Sequence, residues 1–322
     1  MPWLLTRIGS ALVTYLLATT LIFFLMRVTP GDPLSRLSED RPMPPEAIAE
    51  LRARYGIDRP LLEQYRLFLG AALTGDLGSS IAQGRPVTMM IAERLPATLL
   101  LGGSALVLAF TVGIWLGVWQ ARRRGTATDR ALTLLGIATY ATPVFWLGLV
   151  LVWVFGIEWH FFPTGYMHDV LLPADAGWGE RAGDLLVHLV LPAATLTIAL
   201  MGAAMRYQRA TMIDALELAC VRTARVKGLP ERSVIWRHAW RNALGPMVAL
   251  AGLWLPLLVG GSVFVEAVFS WPGLGRLAFE AIGSRDYPVI MGAALLVSAM
   301  VVLGNLLADL GQRWLDPRLR AA

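Results

Sequence analysis

Long apolar stretches alternate with polar segments along the whole chain. An α-helix needs roughly 20 apolar residues to cross the hydrocarbon core of a bilayer, which is about 30 Å thick. Six stretches reach that length, at about residues 8–28, 97–119, 132–155, 187–205, 246–265 and 289–311. The pattern predicts an all-α integral membrane protein with six transmembrane helices. An even number of spans places both termini on one side of the membrane.

The composition supports this prediction. Of the 322 residues, 56% are hydrophobic and only 16% are charged, and the mean hydropathy is +0.57. These values are typical of integral membrane proteins. The first apolar stretch is too long for a signal peptide, and no small-x-small cleavage site follows Arg27, so we expect a retained helix. The single cysteine, Cys220, cannot form an intrachain disulfide.

The cations are distributed unevenly between the two sides of the predicted topology. Sixteen Arg and Lys residues lie before the first span, in 121–131, in 206–241 and after residue 311. The other side carries eleven, spread over nearly twice the length and outnumbered by seventeen acidic residues. By the positive-inside rule, the termini and the loops 121–131 and 206–245 are predicted to be cytoplasmic.

Residues 30–95 form the largest segment outside the predicted spans. Two short helices are expected there, one ending at Gly56 and one with Leu62, Tyr65 and Leu69 on a single face. They lie along the outer membrane interface or cover the spans, or else they belong to an ordinary extracytoplasmic loop.

Three predicted spans contain a proline, which frees a backbone carbonyl of the preceding turn. We therefore expect packed, kinked helices at Pro143, Pro192 and Pro256.

The sequence lacks the common motifs of catalysis. It has no G-x-x-x-x-G-K-[ST] loop, no H-E-x-x-H and no G-x-S-x-G, and its four histidines are scattered without ligand spacing. We therefore predict no enzymatic activity, no metal or cofactor in this chain, and no nucleic-acid partner. An ion-coupled carrier usually buries ionisable residues in mid-membrane. Here Asp309 lies near the cytoplasmic end of the last span and Glu266 just past the outer end of the fifth.

A basic segment, "VRTARVKGLPERSVIWRHAWRNALGP" at 221–246, separates the fourth and fifth predicted spans. From Arg222 to Arg241 it carries six cations against one acidic residue, and Lys227 is the only lysine of the chain. A first helix is predicted to end at Gly228, and Pro230 suits the first turn of a second. The second helix has a predicted apolar face of Trp236, Trp240, Ala243 and Leu244. The result is a cytoplasmic helix-turn-helix elbow, or alternatively a basic loop bound to anionic lipid.

Several motifs resemble those of a known family. "VRTARVKGL" and "RHAWRNALGP" are similar to the elbow of the inner-membrane permeases of binding-protein-dependent ABC importers, in the dipeptide, oligopeptide and nickel branch. Further similar motifs are "PGDP" at 30–33, "RPLLEQY" at 59–65, "ERLPATLLL" at 93–101, "FPTGY" at 162–166, "HLVLPAATL" at 188–196, "FVEAVFSWPGLGRL" at 264–277, "RDYPVI" at 285–290 and "LDPRLR" at 315–320. The general importer motif E-A-A-x-x-x-G stands here as Arg222, Thr223, Ala224 and then Gly228, so no role of its glutamate carries over.

The resemblance implies the fold and the place of this chain in a complex. It implies a type I ABC importer transmembrane domain, the B-type permease subunit of an oligopeptide or dipeptide importer in the bacterial inner membrane. The implied domains are an N-terminal helix at 1–29, an extracytoplasmic subdomain at 30–95, a transport core of five helices at 96–312 and a cytoplasmic tail at 313–322. The implied substrates are peptides or related solutes; nickel or another small solute, and a secondary carrier outside the family, are the alternatives.

The resemblance also implies partners. These are a second homologous permease, two cytoplasmic ABC ATPase subunits that bind ATP and Mg²⁺, an extracytoplasmic substrate-binding protein, and membrane lipid. The elbow would be the coupling helix that contacts an ATPase. Its candidate contact residues are Arg222, Thr223, Ala224, Arg225, Lys227, Gly228, Leu229 and Pro230.

The segment "VEAVFSWPGLG" at 265–275 breaks its helical pattern near the end of the fifth predicted span. Non-helical backbone at membrane depth is tolerated where it is buried in protein or lines a cavity. We interpret this segment as an outer gate or pathway lining, with Glu266, Trp271, Pro272 and Gly273 as candidate residues. The alternative is an interfacial turn anchored by Trp271.

Overall fold

The computed structural model describes residues 2–28, 44–173, 175–260 and 262–315. This part of the chain is helical, apart from loops and one isolated antiparallel bridge between Ser79 and Pro86. The "PGDP" motif and all but the first residue of "LDPRLR" lie outside the described residues, as does most of the predicted tail 313–322.

The helices follow one another in the order of the predicted spans and loops. They are α1 (Pro2–Val28), α2 (Pro45–Tyr55), α3 (Leu61–Thr74), α4 (Val87–Arg122), α5 (Ala127–Ala141), α6 (Val144–Leu151), α7 (Trp178–Leu216), α8 (Ala219–Val226), α9 (Glu231–Ser233), α10 (Trp240–Trp254), α11 (Leu257–Gly260), α12 (Val263–Val268), α13 (Leu274–Ser284) and α14 (Tyr287–Leu315). A π-helical stretch, Val152–Glu158, continues α6, and another, Val234–Ala239, joins α9 to α10.

Four described helices are long and apolar enough to span a membrane: Thr6–Val28, Val87–Arg122, Trp178–Leu216 and Tyr287–Arg313. Ala127–Ala141 and Val144–Glu158 together make a fifth candidate, although the two are bent by 101°. The predicted helix 246–265 is not continuous, because it falls on α10, α11 and α12. The all-α membrane fold is therefore confirmed, whereas the count of six spanning helices is not.

The prolines explain two of these interruptions. Pro143 caps α6 at the 101° bend, where a kink was predicted, and Pro256 lies between α10 and α11. Proline has no backbone N–H and crowds the preceding turn, so a helix often ends just before it. Pro192, by contrast, lies inside α7, which continues without interruption.

The chain divides into two compact units. The first comprises Met1–Thr98 and Pro272–Val302. Within it, α2 ends at Gly56, as predicted, with a φ of +62°. Helix α3 packs on α1, where the Tyr65 hydroxyl lies 2.8 Å from Thr20 Oγ1 and the Phe68 ring stacks on Phe23 at 5.4 Å. Of the three residues predicted to share a face, Tyr65 and Leu69 are partly buried and Leu62 is 71% exposed.

The second unit comprises Leu99–Trp271 and Leu303–Ala322 and is built around α7. Small residues let neighbouring helices approach it closely. A Cβ added to Gly117 of α4 would lie 2.7 Å from the Met205 carbonyl oxygen of α7, and one added to Gly202 would lie 2.7 Å from the Gly136 carbonyl oxygen of α5. Helices α4, α5 and α7 are thus in near-backbone contact, which leaves little freedom for side chains to repack between them.

Candidate functional site

The turn between α8 and α9 is set by the end of α8. Gly228 has a φ of +74°, its N–H donates to the Arg225 carbonyl at 2.9 Å, and the Leu229 N–H donates to the Ala224 carbonyl at 3.3 Å. This is the Schellman arrangement, in which a residue with positive φ, usually glycine, ends the helix. The predicted helix end at Gly228 is confirmed.

The second arm of the elbow begins one residue later than predicted. Pro230 is the N-cap of α9, and its carbonyl accepts hydrogen bonds from Ser233 N at 2.8 Å and Val234 N at 3.1 Å. The chain then passes through the π-helical stretch into α10.

The buried face of this second arm agrees in part with the predicted one, since Ala243 belongs to the buried cluster and Trp240 packs against it. Its buried residues are Val234, Ile235, Ala239 and Ala243. Trp236 is 37% exposed, and Trp240 and Leu244 are only partly buried. In a π-helix the backbone bonds run from i to i+5, which brings residue 239 below residue 234. The buried face is therefore shifted from the one predicted with ordinary α-helical spacing.

The elbow, residues 219–241, has its own apolar core and is not an isolated loop. Val221 and Ala224 of α8 pack with Val234, Ile235 and Ala239 of the second arm. The same cluster includes Val118 and Ala121 of α4 and Met212 and Ala215 of α7. The elbow is therefore seated on the ends of two long helices, and a force on it acts on both.

The outer surface of the elbow combines cations with an apolar tip. Of the eight candidate contact residues, Ala224 is buried in the core, and the others are exposed: Arg222, Thr223, Arg225, Lys227, Gly228, Leu229 and Pro230. Beside them, Val226 is 87% exposed. Apolar residues rimmed by polar ones are typical of protein contact sites.

One of the cations already has a partner within the elbow. Arg225 Nη2 lies 2.9 Å from Glu231 Oε1, and Nε lies 3.3 Å from Oε2. This hydrogen-bonded carboxylate raises the pKa of Arg225. The pair joins the two arms across the turn, so Arg225 supports the elbow's shape as well as its charge.

The segment 265–275, called the outer segment below, has a buried carboxyl group at Glu266, in the second unit. Glu266 of α12 and Ser262 are both fully buried, and Ser262 Oγ donates to Glu266 Oε1 at 2.7 Å. The Glu266 carbonyl accepts a hydrogen bond from Trp271 N at 2.8 Å. Trp271 is itself fully buried. An aromatic anchor at the membrane interface would be partly exposed, so burial of Trp271 disfavours the interfacial-turn interpretation.

The "FPTGY" motif contacts this segment. Tyr166 N donates to the Phe269 carbonyl at 2.7 Å, and a Cβ added to Gly165 would lie 2.8 Å from the same oxygen. Tyr166 and Ser270 both have positive φ, at 67° and 50°. The loop before α7 therefore restrains the backbone between Glu266 and Trp271.

The remaining two candidate residues lie in the first unit. Pro272 is partly buried, and Gly273 is buried as the N-cap of α13. Next to them, Leu274 N donates to Thr98 Oγ1 at 2.7 Å. The break predicted at Pro272 and Gly273 is thus a short connection that ends where α13 begins.

The chain matches a family of known proteins over most of its length. Residues 112–321 match the model of the binding-protein-dependent transport system inner membrane component, and residues 1–102 match the model of the N-terminal part of such membrane components. The chain belongs to this family. Membership implies an ATPase and a substrate-binding protein as partners and places the permease in the inner membrane.

Relatives match over almost their whole length. The permease is 36% identical over 335 residues to the dipeptide transport system permease protein DppB of Escherichia coli (strain K12), covering 99% of both chains. It is 38% identical over 302 residues to the oligopeptide transport system permease protein AppB of Bacillus subtilis, covering 94% of this chain and 93% of the relative. It is 36% identical over 319 residues to the glutathione transport system permease protein GsiC of Pectobacterium atrosepticum, covering 99% and 98%.

Two clusters of this permease were missed by sequence reasoning. Asp129 and Arg209, 80 positions apart, form a two-point ion pair. His168 and His188 both approach the Asp184 carboxylate, at 2.8 Å and 3.0 Å, although the histidines looked scattered along the chain. No metal-binding group of three or more His, Cys, Asp or Glu residues occurs in the described parts of the chain. The Asp184 cluster instead ties the loop before α7 to that helix.

We expect the Arg225–Glu231 pair to matter little for transport. Both side chains are about half exposed, and exposed pairs contribute on the order of 0–1 kcal/mol. The variant Glu231→Gln should therefore keep uptake within about twofold of the parent. Uptake and membrane abundance of the complex would be measured together. Complete loss of uptake at normal abundance would show that the elbow depends on this pair.

Proposed function

We propose that this permease forms half of the translocation pathway of an ATP-driven importer of peptides. The observation that carries the proposal is the near-complete alignment with relatives named for dipeptide, oligopeptide and glutathione transport. These three solutes differ in size, and all are peptides. A peptide is therefore favoured over nickel or another small solute, and over a secondary carrier.

The elbow supports coupling to an ATPase. Its core joins it to α4 and α7, while its cations and the exposed Val226 face away from that core. An ATPase surface with acidic residues around an apolar cleft would complement it. We propose two ATPase subunits that bind ATP and Mg²⁺, one per permease, and a second homologous permease that completes the pathway.

The outer segment supports a gating role in the same permease. Glu266 and Trp271 are both fully buried, and they lie on either side of the point where α12 ends at Val268. We propose that Glu266, Trp271, Pro272 and Gly273 belong to the outer gate, which opens when the loaded binding protein docks.

The substrate class can be tested with the reconstituted complex. The permease, its partner permease, the ATPases and the binding protein would be assembled in proteoliposomes and supplied with radiolabelled dialanine, trialanine or nickel. We expect ATP-dependent uptake of at least one peptide and none of nickel. Uptake of nickel without either peptide would contradict the proposed substrate class.

The proposed orientation places both termini, the 121–131 loop and the elbow in the cytoplasm. The natural Cys220 is exposed in the elbow, and Gln83 is exposed in the segment between α3 and α4. An impermeant thiol reagent added outside should therefore label Gln83→Cys in a Cys220→Ser background and leave the parent unlabelled until the membrane is opened. Labelling of parent Cys220 from outside would overturn this orientation.

A further inference from the structure

The start of α5 is joined to α7 by an ion pair in which the Asp129 side chain is buried and the Arg209 side chain is 29% exposed. Arg209 Nε donates to Asp129 Oδ1 at 2.8 Å, and Arg209 Nη2 donates to Oδ2 at 2.9 Å. Oδ2 also accepts the Gly125 N–H at 2.9 Å, and Asp129 is 4% exposed. The planar guanidinium matches both carboxylate oxygens, so the pair defines one relative position of the two helices.

A third helix joins the same cluster. Gln120 Nε2 of α4 donates to the Asp129 carbonyl at 2.9 Å and to Thr133 Oγ1 at 2.7 Å. Thr133 Oγ1 in turn donates to the Asp129 carbonyl at 2.8 Å. We call Gln120, Asp129, Thr133 and Arg209 the clamp. It links α4, α5 and α7 by directional hydrogen bonds, in addition to the close glycine contacts between these helices.

The clamp lies next to the core of the elbow. On α4, Gln120 stands between Val118 and Ala121, which both belong to that core. On α7, Met212 and Ala215 follow Arg209 by about one and two helical turns and belong to it as well. Among the described residues, α5 contributes nothing to the elbow core. The clamp therefore fixes the position of α5 relative to α4 and α7, the two helices that the elbow contacts.

The α5–α6 pair leads from the clamp to the outer segment. After the 101° bend, Gly148 of α6 lies against Phe269, where an added Cβ would be 3.3 Å from the ring, and against Val268 at 3.5 Å. The same Phe269 carbonyl accepts the Tyr166 N–H. The α5–α6 stretch thus begins near Asp129 of the clamp, and its α6 part contacts Phe269 in the segment Glu266–Trp271.

We propose that Asp129 and Arg209 are positioning residues for energy coupling, which transmit movement of the elbow to α5 and, through α6, to the segment Glu266–Trp271. This inference rests on the proposed function. An ion pair with one buried partner is a weak source of stability, because desolvation of that partner offsets the attraction, and the best-attested use of such pairs is to fix one arrangement over others. The clamp is expected to act on the efficiency of coupling and not on the amount of folded protein.

The decisive variant replaces both charges together. Asp129→Leu combined with Arg209→Met removes the pair without leaving an uncompensated buried charge, and such replacements are often tolerated. We expect normal assembly of the complex. We also expect the ratio of ATP hydrolysed to peptide imported, measured with whichever of dialanine and trialanine the parent imports, to rise by at least about fivefold, the lower end of typical coupling effects. Arg209→Lys keeps the charge but loses the two-point geometry, so an intermediate ratio is expected.

A matched control is available at the neighbouring helix ends. Arg124 Nη1 lies 3.4 Å from Glu217 Oε1, and this pair also joins the α4–α5 loop to the end of α7, but both side chains are more than 60% exposed. Arg124→Met with Glu217→Gln should leave the ratio unchanged. An equal rise in this control would overturn the proposal, because any change at these helix ends would then uncouple the complex.

The outcomes separate the two proposals. If the parent imports peptide and the assembled double variant keeps the parent ratio, the clamp has no coupling role and the proposed function stands. If the double variant does not assemble, Arg209→Lys decides between the outcomes. A ratio of ATP hydrolysed to peptide imported above the parent's supports the coupling role of the clamp, and a ratio equal to the parent's shows that the pair serves folding alone. If the parent imports neither dialanine nor trialanine, both proposals fail.

Discussion

Replacing Gly228 with valine is expected to abolish uptake while leaving the assembled complex at normal abundance. Gly228 has a φ of +74°, a region that costs an L-residue roughly 1–2 kcal/mol and a β-branched residue more. A Cβ at this position would meet no atom of the described chain within 4 Å. The damage is therefore to the shape of an exposed turn, not to internal packing. Since the elbow lies outside the candidate spans, insertion should proceed normally.

The measurement is uptake together with ATP hydrolysis stimulated by the loaded binding protein. We expect both to be lost in Gly228→Val. Gly228→Asn is the matched control, because asparagine tolerates positive φ and adds a side chain of similar size. Transport by the asparagine variant alone would trace the loss to the turn, and loss in both would trace it to bulk at the partner surface.

The lipid-binding alternative for the elbow makes the opposite prediction. The valine substitution leaves every cation of the segment in place, so attraction to anionic lipid is unchanged. Normal uptake with normally stimulated hydrolysis in Gly228→Val would contradict the coupling assignment.

Features that depend on a few neighbouring residues were predictable from the sequence. The ends of α2 and α8 at Gly56 and Gly228, and the bend at Pro143, follow from local backbone chemistry. The buried face of the elbow's second arm was predictable only in part, because the pattern assumed 3.6 residues per turn and the chain adopts a π-helical stretch over Val234–Ala239.

Hydropathy located the apolar segments but not the path of their backbone. Residues 246–265 are apolar enough to suggest a span, and a kink was expected at Pro256. A transfer scale does not show that the helix ends there, because it does not register that proline cannot continue the hydrogen-bond ladder. The Asp129–Arg209 pair and the contacts of Asp184 were unpredictable for a different reason. They join residues far apart in the chain, and a single sequence contains no signal of which distant charges meet.

Replacing Glu266 with alanine is expected to raise the basal ATP hydrolysis of the assembled complex about fivefold. Glu266 is fully buried and accepts the Ser262 hydroxyl at 2.7 Å. A hydrogen bond of this kind contributes about 1 kcal/mol, and a change of that size shifts a two-state equilibrium about fivefold. If the segment Glu266–Trp271 holds the resting gate closed, alanine weakens the resting state, so the complex enters the hydrolysing state without a loaded binding protein. Stimulation by the binding protein should fall in proportion.

Two further variants separate gating from general damage to the fold. Glu266→Gln retains an oxygen that can accept the Ser262 hydroxyl and should hydrolyse ATP at nearly the parent rate. Ser262→Ala removes the donor alone and should raise basal hydrolysis less than Glu266→Ala does, because the carboxyl group keeps its other surroundings. Abundance of the complex, followed by size-exclusion chromatography, should be equal in all three. Parent-like basal hydrolysis and uptake in Glu266→Ala would leave the segment a structural turn. A rise in Glu266→Gln equal to that in Glu266→Ala would show that the hydrogen bond from Ser262 does not hold the gate.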